Sequence, residues 1–448
     1  MLAYPIVFYI VGYLLLPVYM KQRVTSAYEL LEARLGLGAR LLGGTMFIAL
    51  RLVWMSLLVF LAARAMTVML GVSESWIPTI VLATGFVAVI YTSVGGLSAV
   101  VVTDMMQFLL LLGGALLVIA MITVQMGGFG WFPTEWKPHW DSQPIISFDP
   151  GTRVSLVGIM IMMATWVVCT AGGDQTSVQR FMATENVASA RKAYAIQLTS
   201  SAIVAVVLAL VGFALLGYFE TNTAELPKHL DLYDDADQIF PWFIAHKLPM
   251  GIAGLVVSAM FAAAMSSIDS GVNSITAVVM TDFLDRFGLQ PKTERGHVIS
   301  AKLLAFAIGA IVVVGSSFMG AVPGNITAVT NKTVNLLTSP IFGLFFFALF
   351  VPFARPLAVW IGALFGVVTA ALIAFSGPLV TWLHFNFGIP VETFGVELQD
   401  KVDKVTGATY QLADDPVSFM WIGPCSLLVH IVIGLALSWV MRGGSSEG

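Results

Sequence analysis

The sequence predicts an all-α protein that crosses a membrane about eleven times, and three observations carry that expectation. Hydrophobic residues make up 58% of the 448 and charged residues only 11%, where a soluble domain carries about 25% charged residues. The mean hydropathy is +0.89, and the apolar residues fall in long blocks rather than an even spread. Many of those blocks exceed the roughly 18 residues that suggest a membrane span. The basic residues, finally, sort to alternate loops.

Taken in order, the predicted spans are roughly 2–20, 40–70, 76–91, 98–125, 152–180, 195–219, 248–281, 297–319, 325–353, 357–377 and 417–441. The first is too long and too aromatic for a cleaved leader and lacks a basic start, so it reads as a spanning helix. The longest need tilt or run beyond the bilayer, and Gly and Pro within them are tolerated because neighbouring helices satisfy the backbone. Placing Met1 outside gives the inner loops thirteen Lys and Arg against six in the outer ones. That bias predicts an N-terminus outside and a C-terminus inside a cell membrane. The outer loops 126–151 and 378–416, rich in Trp, Pro and mixed charge, read as interfacial or short-helix covers.

Composition also excludes. A net charge of −4 with no basic cluster argues against nucleic acid. Cys169 and Cys425 lie inside apolar segments, which implies buried packing rather than a disulfide or a metal site. His430, inside the last span with no acidic neighbour, reads as a packing residue. Arg51, Arg64 and Lys332 remain at membrane depth, where charge usually faces the protein interior. Arg64 can instead snorkel to the outer interface.

Three clusters concentrate polar chemistry. In the first, Tyr91 to Gln107, Gly95-Gly96 predicts a tight inner turn, and Asp104 and Gln107 share a helix face. A carboxylate there needs a cation, a proton or hydrogen-bond donors; a hydrogen-bonded structural Asp and a cation ligand or relay both satisfy that need. In the second, Cys169 to Arg180, the pair Gly172-Gly173 invites local unwinding that frees backbone groups for a ligand. Asp174, Gln175 and Gln179 follow directly, and lipid would not tolerate that face. In the third, Ala262 to Ser274, a rotation of 100° per residue gathers Ala263, Ser266, Ser267, Ser270 and Ser274 in one stripe. Asn273 sits at its edge and Asp269 further off. Hydroxyls and carbonyls are hard oxygen ligands suited to a small hard cation. A small-residue packing stripe explains the Ala and Ser but leaves Asp269 and Asn273 without a role.

These clusters, together with Gln238-Ile239-Phe240-Pro241, Leu248-Pro249-Met250-Gly251 and Thr281-Asp282-Phe283, resemble the sodium/solute symporter family over essentially the whole chain. Its members import sugars, proline, monocarboxylates, vitamins, iodide or sialic acid with sodium. The resemblance implies one transporter domain over 1–448, core helices about 2–353 and peripheral helices about 357–441, with the inverted five-helix repeats of the leucine-transporter class. It implies sodium on the eighth core helix, the 248–281 span, held by the Ala263 carbonyl and the Ser266 and Ser267 hydroxyls. Asp104 matches an Asp of the fifth core helix that lines the sodium exit and, in some members, a second sodium site. Asp269, Ser270 and Asn273 are accessory candidates. Gly172, Gly173, Asp174 and Gln175 fall on the sixth core helix, which borders a small organic solute of the sugar, carboxylate, amino acid or vitamin class.

The 2–20 span and Val24 to Glu29 match the family's second core helix. The expectation is therefore an incomplete form lacking the first core helix, with an open slot beside the 248–281 span and no coupled transport by 1–448 alone. A transporter-like sensor without turnover is the alternative. An intramembrane aspartyl protease fits poorly, because Ala171 stands where its Gly-x-Gly-Asp motif needs glycine and the only Tyr-Asp pair, Tyr233-Asp234, lies in a loop.

Overall fold

The computed structural model describes residues 1–21, 26–137, 140, 143–228, 230–233, 235–289, 291–321, 326–402 and 409–443. The side chains at 87–89, 91–104, 262–263, 321, 326–328, 402 and 443 are outside the described residues. Among the described residues ten helices are long and apolar enough to cross a membrane.

The helices are α1 (Tyr4–Lys21), α2 (Glu29–Leu35), α3 (Leu37–Leu70), α4 (Ile77–Gln125), α5 (Leu156–Gly173), α6 (Gln175–Met182) and α7 (Val187–Thr221). They continue with α8 (Ala236–Lys247), α9 (Met250–Asp285), α10 (Glu294–Ser316), α11 (Ile326–Phe350), α12 (Pro356–Ala374), α13 (Ser376–Phe387) and α14 (Ile422–Gly443). A hairpin, β1 (Leu398–Val402) and β2 (Thr409–Ala413), pairs antiparallel with Leu398 opposite Ala413. The predicted 76–91 span forms the first part of α4. The expected turn at Gly95-Gly96 is not formed: both glycines lie inside α4, which joins the predicted 76–91 and 98–125 spans in one helix, because glycine permits a turn without imposing one.

The chain divides into two compact units. The first comprises residues 1–50, 141–191 and 327–448. Its centre is aromatic: the Phe345 ring lies 6.3 Å from Tyr19 and 5.7 Å from Tyr28, which in turn lies 5.7 Å from Phe47. Spacings of this order suit tilted ring packing. In α1, a π turn over Ile10–Leu15 disturbs the regular ladder. The Gly12 carbonyl there accepts from Arg191 Nε at 2.7 Å, while the guanidinium covers the Tyr13 ring at 4.1 Å. α12 packs along α14, where the fully buried His430 ring wedges against Gly343, in the packing role expected of it. β2 docks on α13 through Ala413 N to Thr381 Oγ1 at 2.8 Å, over a small core of Val380, Val391 and Ala413. The 378–416 loop is thus a helix-and-hairpin cover.

The second unit comprises residues 51–140 and 192–326. α4, α7, α8 and α9 share a core in which Val118, Ile122, Phe219, Phe243 and Ile244 are essentially inaccessible. Small residues permit its closest approaches, as helix packing without a solvent-driven hydrophobic term requires. Gly114 of α4 meets Val256 of α9, Gly271 of α9 meets Met55 of α3, and Ser56 Oγ donates to Val312 O of α10 at 3.1 Å.

Candidate functional site

In the first unit the predicted helix interruption is present, one residue beyond the glycines. α5 ends at Gly173, Asp174 is extended at φ −98°, ψ 124°, and α6 starts at Gln175. The two glycines stay helical. Their lack of a side chain serves packing instead: a Cβ on Gly172 would stand 2.5 Å from the Phe342 ring, and one on Gly173 would stand 3.1 Å from the Phe342 backbone. The carbonyls that an interruption frees have partners. Tyr19 donates its hydroxyl to Gly172 O, and Tyr28 donates to Gly173 O at 3.3 Å, both tyrosines being fully buried. A buried tyrosine hydroxyl needs a partner, so the interruption satisfies the tyrosines as much as they satisfy it.

Asp174 caps α6, its Oδ1 accepting from Thr176 N at 2.8 Å, an arrangement that also suits the positive end of the helix. Gln175 is fully buried and its Oε1 accepts from Ala27 N at 2.7 Å. Beside the interruption lies a cavity lined by Phe47, Leu50, Cys169, Gly173, Asp174, Thr338 and Ile341. Of the four predicted solute-lining residues, Gly173 and Asp174 line this cavity. Gly172 and Gln175 face protein. Tyr19, Tyr28 and Thr338 were not singled out from sequence; the available signal was the presence of hydroxyls within or beside apolar spans.

In the second unit the predicted stripe runs along α9. Ser266, Ser267, Ser270 and Asn273 are half-buried, Ser274 is buried, and Asp269 has no exposed surface. Asn273 Nδ2 and Thr276 Oγ1 on α9, and Gln107 Oε1 on α4, are shielded from solvent and have no hydrogen-bond partner among the described residues. The side chains of Asp104 and Ala263 are outside the described residues, so their predicted place beside the serines is untouched by the geometry. No three His, Cys, Asp or Glu side chains gather among the described residues as a transition metal would need. Oxygen donors from Ser, Asn and Gln suit a hard monovalent cation better.

Of the three membrane-depth cations, two meet carboxylates. Arg64 Nε reaches Glu74 Oε1, in the segment between α3 and α4, at 3.5 Å, as a residue snorkelling to a helix end would. Lys332 Nζ, on α11, meets Asp415 Oδ2 at 2.7 Å. Arg51 is half-buried on α3.

A family model described as the sodium:solute symporter family matches residues 2–370. The sodium/sialic acid symporter SiaT of Proteus mirabilis is 27% identical over 373 residues, covering 80% of this chain and 72% of that protein. The sodium/sialic acid symporter NanT of Aliivibrio fischeri is 29% identical over 374 residues, covering 80% and 70%. A protein of Drosophila melanogaster, named a putative sodium-dependent multivitamin transporter, is 26% identical over 446 residues, covering 96% and 72%. A solved structure of a Na+-coupled sialic acid symporter, in a substrate-bound outward-open state, matches with a TM-score of 0.73 at 23% identity. It covers 98% of this chain and 82% of that one, and it shows the shared fold.

Proposed function

The chain belongs to the sodium:solute symporter family, and on that premise we propose that it takes sodium on α9 and a small organic solute in the cavity at the α5–α6 interruption. Sodium-coupled symport is the activity of such a multi-pass membrane protein, and the family is one of transporters rather than enzymes. The observation that carries the assignment is the interruption itself. Transporters of this class build their midplane sites on discontinuous helices, and here the helix breaks at the predicted segment with a carboxylate turned to a cavity. For sodium, the support is the row of oxygen-bearing side chains on α9, with Ser266 and Ser267 as hydroxyl ligands and the Ala263 carbonyl beside them. Asp269, Ser270 and Asn273 continue the row, and Asp104 supplies charge from α4. The solute falls within the sugar, carboxylate, amino acid or vitamin classes.

Reconstitution tests the reading. In proteoliposomes an inward sodium gradient should drive radiolabelled uptake of at least one solute that a potassium gradient does not, across a panel of hexoses, monocarboxylates, sialic acid, biotin and proline; such uptake by residues 1–448 would overturn the expectation that they do not transport alone. Asp104→Glu should keep part of the sodium dependence. Asp104→Asn should raise the sodium concentration for half-maximal response by about tenfold or more, because a hydrogen bond or contact to a charged group is worth about 1.5–3 kcal/mol. Wild-type sodium response in Asp104→Asn would assign that carboxylate a purely structural role.

A further inference from the structure

The joint between α12 and α13 is written into the sequence. Phe375 leaves the helical region at φ −115°, ψ 28°. Gly377 N donates to Asp415 Oδ1 at 3.0 Å, and Pro378 has no N–H to give. The ladder of α12 therefore stops after 19 residues, a rise of about 28 Å. That length already crosses a hydrocarbon core of about 30 Å, so α13 starts at its edge.

One face of α13 is taken by protein. Val380 is buried with Val391 and Ala413, and Thr381 Oγ1 accepts from Ala413 N at 2.8 Å. The remaining surface carries Leu379, Trp382 and Phe385, all exposed. Leu379 and Trp382 continue a row, at intervals of three or four residues, of exposed Leu364, Val368, Leu372 and Phe375 along α12. In a spanning helix such an apolar row faces lipid. Charge sorts the same way. Ser376–Phe387 contains no Asp, Glu, Lys or Arg, and its one titratable side chain, His384, contacts Ile389 O through Nδ1 at 3.0 Å. The charges of the cover, Glu397, Asp400 and Lys401 among them, lie on or beside the hairpin. An interfacial helix ordinarily supplies its own polar face toward water; here the hairpin docked on α13 supplies it.

We propose that α13 lies along the membrane–water boundary, with Leu379, Trp382 and Phe385 among the lipids and the hairpin on the water side. Tryptophan is enriched at that depth. Without a basic side chain the helix gains nothing from anionic headgroups, so its partner is the apolar margin of a bilayer of any charge.

Site-directed fluorescence of the full chain in vesicles tests this. Cys425→Ala removes the half-buried thiol, and Cys169 has no exposed surface. An environment-sensitive label then reports only from Leu379→Cys, Phe385→Cys or, as the water-side reference, Gln399→Cys. Lipids carrying a nitroxide near the headgroup should remove most of the emission from the first two and little from the third. The result should be equal in phosphatidylcholine vesicles and in vesicles that add phosphatidylglycerol, and aqueous iodide should show the reverse order. Iodide quenching at Leu379→Cys and Phe385→Cys as strong as at Gln399→Cys overturns the proposal. So does stronger quenching by nitroxides at the acyl-chain ends, which would make α13 part of a span, or lipid quenching that needs phosphatidylglycerol. Shielding from both quenchers, with cross-linking between copies through Phe385→Cys, would overturn it in favour of a second copy of the chain.

Discussion

Asp415→Ala should lower the unfolding midpoint of the purified chain more than Lys332→Met does, and the double variant should recover most of the loss. Lys332 Nζ and Asp415 Oδ2 are 2.7 Å apart, with the lysine side chain 11% exposed and the aspartate 30%. Asp415 also accepts from Gly377 N at 3.0 Å and from Ser376 Oγ at 3.3 Å. Removing the carboxylate strands an ammonium on α11 at low exposure; breaking a buried pair in this way costs about 3–5 kcal/mol. The exposure of Asp415 scales that to about 2–3 kcal/mol. Removing the ammonium leaves a carboxylate that keeps two donors, so Lys332→Met should cost about 1 kcal/mol. Equal losses in the two single variants, with additivity in the double, would show that the pair contributes nothing as a pair. The contact matters for the site because α11 carries Lys332 and, further along, Thr338 and Ile341 of the cavity lining.

Gly217→Ala should destabilise the second unit sharply, while Gly212→Ala on the same helix should not. A Cβ on Gly217 would stand 2.4 Å from the Trp131 carbonyl oxygen and 2.6 Å from its Cα. Those are backbone atoms, and Trp131 is 4% exposed with its Nε1 donating to Thr123 Oγ1 at 2.9 Å. The loop cannot yield without giving up that packing, so a cost of about 1–3 kcal/mol or more is expected. Gly212 has no atom within 4 Å of its built Cβ, and alanine there gains helix propensity of up to about 1 kcal/mol. Thermal unfolding and expression level in parallel check both; a tolerant Gly217 would mean that α7 and the 126–131 loop are less tightly held than the structure shows.

The spans were legible because a membrane forces every backbone group into an internal hydrogen bond, so hydrophobic length alone betrays a helix. The interruption of 152–180 was legible for a partly different reason than expected. Gly172-Gly173 marked the place, yet the glycines are helical and closely packed on Phe342, and the extended residue is Asp174. Local sequence shows that a carbonyl is freed; it does not show that Tyr19, 153 residues earlier, will take it. Lys332 announced itself as a membrane-depth charge needing a partner, but its partner lies 83 residues on, in the segment before α14. The hairpin at 398–413 was missed because its strands are short and polar, without the alternation that marks a half-buried strand. The oxygen stripe on α9 was legible from periodicity, since 100° per residue depends on nothing beyond the helix itself.

Direct binding of ²²Na⁺ to the purified chain tests most closely whether α9 carries the ion. The account predicts saturable binding displaced by unlabelled sodium and not by potassium. Ser267→Ala, and to a similar degree Ser266→Ala, should weaken it about tenfold or more at unchanged expression, since each removes one oxygen ligand of a charged group. Wild-type ²²Na⁺ affinity in both alanine variants would contradict the account and leave the α9 serines as a packing stripe.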